Sequence, residues 1–101
     1  MKKRSSKLNK LERNRFSIIT NDLDHCILCG KTKNHLHEVI YGKNRLNSIK
    51  YGLVIPLCFN CHNAIHNDIK LDLAYKKIAQ DRFVKHYPEL DFLSIFHKNY
   101  L

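Results

Sequence analysis

The stretch LVIPLCFNCHNAIH, residues 53–66, decides the fold that the sequence predicts. Two residues separate Cys58 from Cys61 in it, and a pair with the same spacing, Cys26 and Cys29, lies upstream with 28 residues between the pairs. Each pair turns the chain so that both thiolates reach one ion, and four thiolates complete the tetrahedral shell of a structural Zn²⁺. Because that shell has no open position, this zinc is predicted to support folding and not catalysis. The alternatives are disulfides or cysteines buried as small hydrophobic residues.

Three histidines in and near this stretch predict a second metal site. His62 and His66 are four residues apart on a predicted helix, so both project from one helical face. His37 lies on a predicted strand, and if that strand packs against the helix, the three imidazoles converge on one divalent ion with room for water and substrate. By strand alternation His35 shares a face with His37, so it is a further ligand, a DNA contact or a surface residue with neither role. The alternative is a set of surface or capping histidines.

Periodicity and turn residues predict the elements around these sites. Two short strands are expected at residues 35–41 and 53–57, and the segment 42–50 between them is expected to be a polar, basic loop. A short helix is expected from about residue 61 to residue 67, with Asn60 as the N-cap candidate.

The clearest predicted helix spans Lys70 to Tyr87 and ends before Pro88. Its apolar residues recur with helical period on one stripe, which predicts an amphipathic helix. That stripe consists of Leu71, Ala74, Tyr75, Ile78, Ala79, Phe83 and Tyr87. The apolar segment 92–96 is expected to dock on the core.

Composition and charge limit the function classes. The 101 residues suffice for one small domain, and 44% hydrophobic residues exclude a disordered chain. A net charge of +9, from 18 Lys and Arg against 9 Asp and Glu, favours a polyanionic partner, and the alternative is a basic protein without one. No apolar run approaches the ~20 residues that span a bilayer, and no secretory signal follows the basic N-terminus, so we expect a cytoplasmic protein without a membrane partner.

Three parts are predicted along the chain. They are a basic N-terminal arm or helix over residues 1–20, a metal-binding core over residues 21–69, and a C-terminal helix with its docking tail over residues 70–101. The arm either contacts phosphates or is a solvated tail.

The segment from about Cys26 to Asp68 resembles the HNH nucleases, also called ββα-metal or His-Me finger nucleases, and in particular short HNH proteins of phages and bacteria. The most specific part is YGLVIPLC, residues 51–58, with Cys61, His62 and Asn63 after it. The resemblance implies a small, zinc-stabilised α+β fold, with a ββα-metal core between the two CxxC pairs and a C-terminal amphipathic helix. It implies a metal-dependent endonuclease that hydrolyses nucleic-acid phosphodiesters, with double-stranded DNA as the expected substrate, in a bacterial host or encoded by a phage.

Carried over residue by residue, the resemblance places His37 as the strand ligand, and His62 and His66 as the helix ligands, of a catalytic ion. That ion would be Mg²⁺, Mn²⁺, Ni²⁺ or Zn²⁺. Glu38 stands where the family has its general base, usually a histidine, and it could instead bind the ion. Strand alternation sends Glu38 to the face opposite His37 unless the strand twists or bulges at its end.

The basic loop supplies the remaining candidate residues. Lys43, Asn44 and Arg45 are expected to contact nucleic acid, with the two cations binding adjacent phosphates. The family's asparagine is missing before Leu53, so Asn44 or Asn47 would orient the base. The chain would act as a monomer or a dimer.

Two other functions fit the same sequence. One is a zinc-stabilised DNA-binding module that has lost catalysis. The other is an accessory protein of phage recombination or packaging that docks on a protein partner through the helix at residues 70–87, although core packing is the simpler interpretation of that helix.

Overall fold

A computed structural model describes residues 15–101 of the chain. In chain order the elements are strand β1 (His35–Glu38), a 3-10 turn (Gly42–Asn44), helix α1 (Arg45–Tyr51), strand β2 (Val54–Leu57) and helices α2 (Phe59–Asn67), α3 (Ile69–His86) and α4 (Phe92–Phe96). The two strands pair antiparallel, with His37 opposite Ile55 and Glu38 opposite Val54. Within the described residues the fold is therefore a small α+β fold, and the prediction at that level is confirmed.

The connection between the strands differs from the predicted loop, because most of it is helical. In α1, Ile49 is buried, and the buried Ser48 donates a hydrogen bond from Oγ to the carbonyl of Ile40. The helix ends at Gly52, whose φ of 78° is left-handed, and a Cβ there would lie 2.6 Å from the ring of Phe16. Buried side chains and tertiary hydrogen bonds hold this helix, and neither produces a periodic pattern in the sequence.

The ends of two further elements also differ from the prediction. Strand β1 stops at Glu38, since Val39 and Ile40 are both buried and the alternation of faces therefore ends there. Helix α2 begins two residues earlier than expected. Its N-cap is Cys58, whose Sγ accepts a hydrogen bond from the backbone N–H of Cys61, so the prediction of Asn60 as the cap was wrong.

The C-terminal segment packs on the same core as the sheet, across the predicted boundary between residues 69 and 70. Ala79 and Phe83 of α3 are buried together with Phe92 and Phe96 of α4, so the segment 92–96 packs on the core. The ring centroid of Phe83 lies 5.3 Å from that of Phe92 and 5.8 Å from that of Phe96. Edge-to-face packing of this kind adds to the hydrophobic burial.

The apolar stripe predicted for the long helix is only partly buried. Ala74 and Ile78 are exposed, whereas the polar Gln80 is buried. The side-chain amide of Gln80 has hydrogen-bond partners near the C-terminus. It donates to Oδ1 of Asn99 at 2.8 Å and accepts from the backbone N–H of Tyr100 at 2.7 Å. The docked tail therefore changes which face of the helix is covered.

Part of the predicted N-terminal arm lies against the sheet. Ser17 donates from Oγ to the carbonyl of Val54 at 2.6 Å, and the N–H of Ile18 donates to the carbonyl of Gly52 at 2.9 Å. The rest of the arm, residues 1–14, lies outside the described residues. Between residues 15 and 101, no helix combines the length and apolar character that crossing a membrane requires.

Candidate metal centres and active-site pocket

The four cysteines form one compact cluster, as the CxxC spacing predicts. Their sulfur atoms lie within 4.8 Å of one another, and the sulfurs of Cys29 and Cys58 are 3.6 Å apart. That separation is far longer than a disulfide bond, and it is close to the sulfur–sulfur distance of about 3.8 Å in a tetrahedral Zn²⁺ site with Zn–S bonds of about 2.3 Å. The cluster can therefore hold a structural zinc ion.

Local backbone geometry brings the two CxxC pairs together. The first pair turns at Gly30, which has a φ of 80° and whose N–H donates to the carbonyl of Cys26 at 2.9 Å. The N–H of Ile27 in this turn donates to the carbonyl of Pro56 on β2. Since Cys58 directly follows β2, this hydrogen bond holds the first pair against the second.

The thiols of the cluster are unequal in acidity. Burial raises the pKa of Cys26, but hydrogen bonds from the backbone N–H groups of Cys58, Cys29 and Leu28 outweigh it and lower that pKa to about 6. The thiol of Cys58, and then burial, raise the pKa of Cys61 to about 12. Four neighbouring thiolates repel one another, so a cation among them is what allows all four to ionise.

The second cluster consists of His37, His62 and His66, the three histidines that the sequence analysis grouped. One ring nitrogen of each lies within 4.8 Å of the others, and the Nε2 atoms of His62 and His66 are 3.0 Å apart. A tetrahedral ion with Zn–N bonds of about 2.0–2.1 Å separates its nitrogen ligands by about 3.3 Å. Helix α2 contributes two of the ligands from one face, and β1, on which the helix packs, contributes the third.

The environment keeps two of these imidazoles, His37 and His62, neutral. His37 is only 5% exposed, and burial lowers its pKa to about 4, with further lowering by the charges of His62 and His66. Burial also lowers the pKa of His62, and His66 and His35 add to that shift. Only the neutral imidazole has a lone pair for a metal, so His37 and His62 are in the binding form at pH 7.

The histidine cluster lies in a pocket of about 470 Å³. The pocket is lined by Arg15, Asn34, His35, Leu36, His37, Glu38, Tyr41, His62 and His66. His35 is exposed beside the cluster, with its ring centroid 4.6 Å from that of His62. The pocket therefore places a candidate metal site, a carboxylate and a guanidinium within reach of one ligand.

Glu38 lines the same pocket as His37, although the two are neighbours on one strand. Glu38 is the last residue of β1, where the pleat ends and the next side chains no longer alternate. Its Oε1 accepts a hydrogen bond from Nε of Arg45 at 2.6 Å and lies 3.5 Å from Nη2 of Arg15. The carboxylate is thus held in one orientation, with its side chain only 11% exposed.

The two asparagines between β1 and β2 that the sequence analysis singled out hydrogen-bond to the C-terminal segment. Asn44 donates from Nδ2 to the carbonyl of Phe96 at 3.1 Å, and Asn47 donates to that of Ile95 at 3.4 Å. Both amides therefore attach the connection to α4, and the residue of the connection that hydrogen-bonds to Glu38 is Arg45. Lys43 is exposed in the 3-10 turn.

The sequence analysis did not single out four residues of the pocket, namely Arg15, Asn34, Leu36 and Tyr41. Of these, Arg15 contacts Glu38, and Tyr41 contacts two of the histidines. Arg15 was counted only among the charges of the arm. Tyr41 was only the end of a strand, but its ring centroid lies 5.9 Å from that of His37 and 5.8 Å from that of His66. Its hydroxyl donates to Oδ2 of Asp72 at 3.2 Å. No local pattern reveals either residue, since both reach the pocket through tertiary contacts.

Comparisons with known proteins add no assignment to this geometry. No family model, no curated protein and no solved structure matches the chain.

Proposed function

We propose that this chain is a metal-dependent endonuclease of the HNH type that hydrolyses phosphodiester bonds in nucleic acid, with DNA as the substrate. The observation that carries the proposal is the cluster of His37, His62 and His66 in a pocket that also contains Glu38. Three neutral nitrogen ligands leave coordination positions for substrate and water, which is the composition of a catalytic metal site and differs from the closed four-cysteine site.

Each side chain of the pocket has a separate role in the proposed hydrolysis. The three histidines hold the ion, and a divalent ion bound there supplies positive charge to the phosphate as its P–O bond breaks. Glu38 accepts the proton of the attacking water, in the place that the HNH resemblance gives to the general base. Arg45 fixes the orientation of that carboxylate by its 2.6 Å hydrogen bond.

Charge supports nucleic acid as the substrate. The chain carries a net charge of +9, and Arg15 brings a guanidinium to the wall of the pocket. Lys43 is exposed two residues before Arg45, and its ammonium group would contact the phosphate backbone outside the pocket. One histidine site in a chain cuts one strand, so the proposed product on a plasmid is a nicked circle.

Plasmid cleavage by the zinc-loaded full chain tests the proposal. Supercoiled DNA is incubated with Mg²⁺, Mn²⁺, Ni²⁺ or Zn²⁺, and with EDTA as the metal-free control. The key variant is His62→Ala, and the matched control is His86→Ala, an exposed histidine at the end of α3. We expect nicking by the wild type and by His86→Ala with at least one added metal, and loss of nicking in His62→Ala, which should keep its cysteine-bound zinc in metal analysis.

A second candidate function is nucleic-acid binding without catalysis. It is favoured by the contacts of two guanidinium groups to one oxygen of Glu38, which compete with proton transfer at that oxygen. If the wild type binds DNA but no metal gives cutting above the His62→Ala level, this second function replaces the first. If the wild type does cut, Glu38→Gln tests the general base, because loss of a general base costs typically 10²–10⁴-fold in rate.

A further inference from the structure

A large aromatic side chain is exposed beside the pocket. Phe59, the first residue of α2, is 59% exposed although it lies between two candidate zinc ligands. Its ring centroid is 6.4 Å from that of His35, with an angle of 38° between the ring planes. The ring of His35 in turn lies 4.6 Å from that of His62. Phe59 and His35, which we name the aromatic platform, therefore continue the line of rings outward from the histidine cluster.

The aromatic platform rests on fixed backbone. The N–H of Phe59 donates to Oδ1 of Asn34 at 2.8 Å, and the preceding Cys58 belongs to the sulfur cluster. His35 is paired with Leu57 in the sheet. A surface held in place before a ligand arrives loses little conformational entropy on binding, so exposed rings here can bind with more effect than rings on a mobile loop.

We propose that the aromatic platform stacks an unpaired nucleobase next to the phosphate bound at the histidine cluster, so that the preferred substrate is single-stranded or locally unpaired nucleic acid. The inference rests on the proposed function for the identity of the ligand. A planar base matches exposed rings, and the basic charge of the chain attracts the backbone that carries the base. In an uninterrupted duplex both faces of every base are covered by its neighbours, so a base reaches Phe59 only where pairing is absent or opened.

The spacing fits neighbouring nucleotides. Stacked nucleotides follow one another at about 3.4 Å along a strand. The ring of His35 lies 4.6 Å from that of His62, so the aromatic platform begins directly beside the histidine cluster. A phosphate at the histidine cluster and a base on the aromatic platform can thus belong to adjacent positions of one strand.

Binding measurements test this without any need for cleavage. The zinc-loaded full chain, with no other divalent metal added, is titrated with a fluorescent single-stranded oligonucleotide and with its duplex. Phe59→Ala is expected to weaken single-strand binding about tenfold or more, as the loss of one base stack does, and to change duplex binding less than twofold. Phe59→Trp is expected to restore binding. Leu93→Ala, which removes an exposed apolar side chain on α4, is the matched control and should leave both affinities unchanged.

An oligonucleotide with a single abasic site gives an independent measurement. When the abasic position is moved along the strand, the wild type should lose affinity at one position, and Phe59→Ala should lose none there. The proposal is overturned if Phe59→Ala binds the single strand within twofold of the wild type, or if its affinities for single strand and duplex fall equally. It is also overturned if the wild type binds neither the single strand nor the duplex. Should Phe59→Ala lose its zinc or its helical signal, the abasic series on the wild type decides alone. A wild type that binds in this way but never cuts would refute the nuclease and leave the aromatic platform standing.

Discussion

Cys58 has two separable tasks, which makes its substitution the most informative perturbation of the fold. Its sulfur belongs to the four-cysteine cluster, and it also caps α2 by accepting the N–H of Cys61 at 3.5 Å. Cys58→Ser keeps a good N-cap and removes only the thiolate, whereas Cys58→Ala removes both. Loss of a cap costs about 1 kcal/mol, while a structural zinc site supplies on the order of 10 kcal/mol, which is comparable to the whole stability of a small domain. We therefore expect both variants to be largely unfolded at 25 °C.

Metal content and urea unfolding followed by circular dichroism test whether the two variants have lost the zinc and the fold. Asp91→Ala is the matched control, because Asp91 caps α4 by accepting from the N–H of Leu93 at 3.2 Å and is not part of the sulfur cluster. The Asp91→Ala variant should lose about 1 kcal/mol of unfolding free energy and keep one zinc per chain. The reasoning is refuted if Cys58→Ser keeps its zinc and its stability, or if Cys58→Ala costs no more than Asp91→Ala.

Three further predictions concern the core, a turn and one histidine. Phe83→Ala should lower the free energy of unfolding, measured with urea, by about 3–5 kcal/mol, because the ring is fully buried. A decrease below 1 kcal/mol would contradict the packing. Gly52→Ala should lower the melting temperature, since φ is 78° and the new Cβ would lie 2.6 Å from Phe16; an unchanged melting temperature would contradict that backbone. The pKa of His37 is about 4 when folded against 6.5 unfolded, so the unfolded chain takes up the proton first and stability falls as pH drops from 6.5 to 4. His37→Gln should lose this part of the pH dependence in urea unfolding at several pH values, and identical profiles would refute it.

Both candidate metal clusters could be predicted because most of their ligands are related by local geometry. A CxxC pair and an i, i+4 histidine pair need only one turn and one helical face. His37 required one tertiary assumption, that β1 packs against α2, which the sequence analysis stated as a condition and the structure shows. The long helix followed in the same way from its period.

The parts that sequence could not supply depend on long-range contacts. The helical form of α1 is held by Ser48 bonding to Ile40 and by the burial of Ile49, neither of which has a local pattern. The same holds for the guanidinium of Arg15, which meets Glu38 only after the N-terminal segment has docked on the sheet. Single polar contacts of this kind are decided by where distant segments meet, so the electrostatics around Glu38 became visible only in three dimensions.

The two candidate metal centres are not independent, because they share α2. Cys58 and Cys61 lie at its first turn, and His62 follows directly. The distance between His37 on β1 and the helix is set through β2, and β2 leads into Cys58. A zinc ion among the sulfurs would therefore fix the spacing of the three imidazoles, and its removal should weaken metal binding at the histidine cluster.

The effect of the histidine cluster on zinc binding at the cysteines should be weak. The sulfur cluster is closed by its own four ligands, and its first pair is attached to the carbonyl of Pro56. We therefore predict that zinc in the cysteine cluster would strengthen metal binding at the histidine cluster, because the two candidate sites share α2.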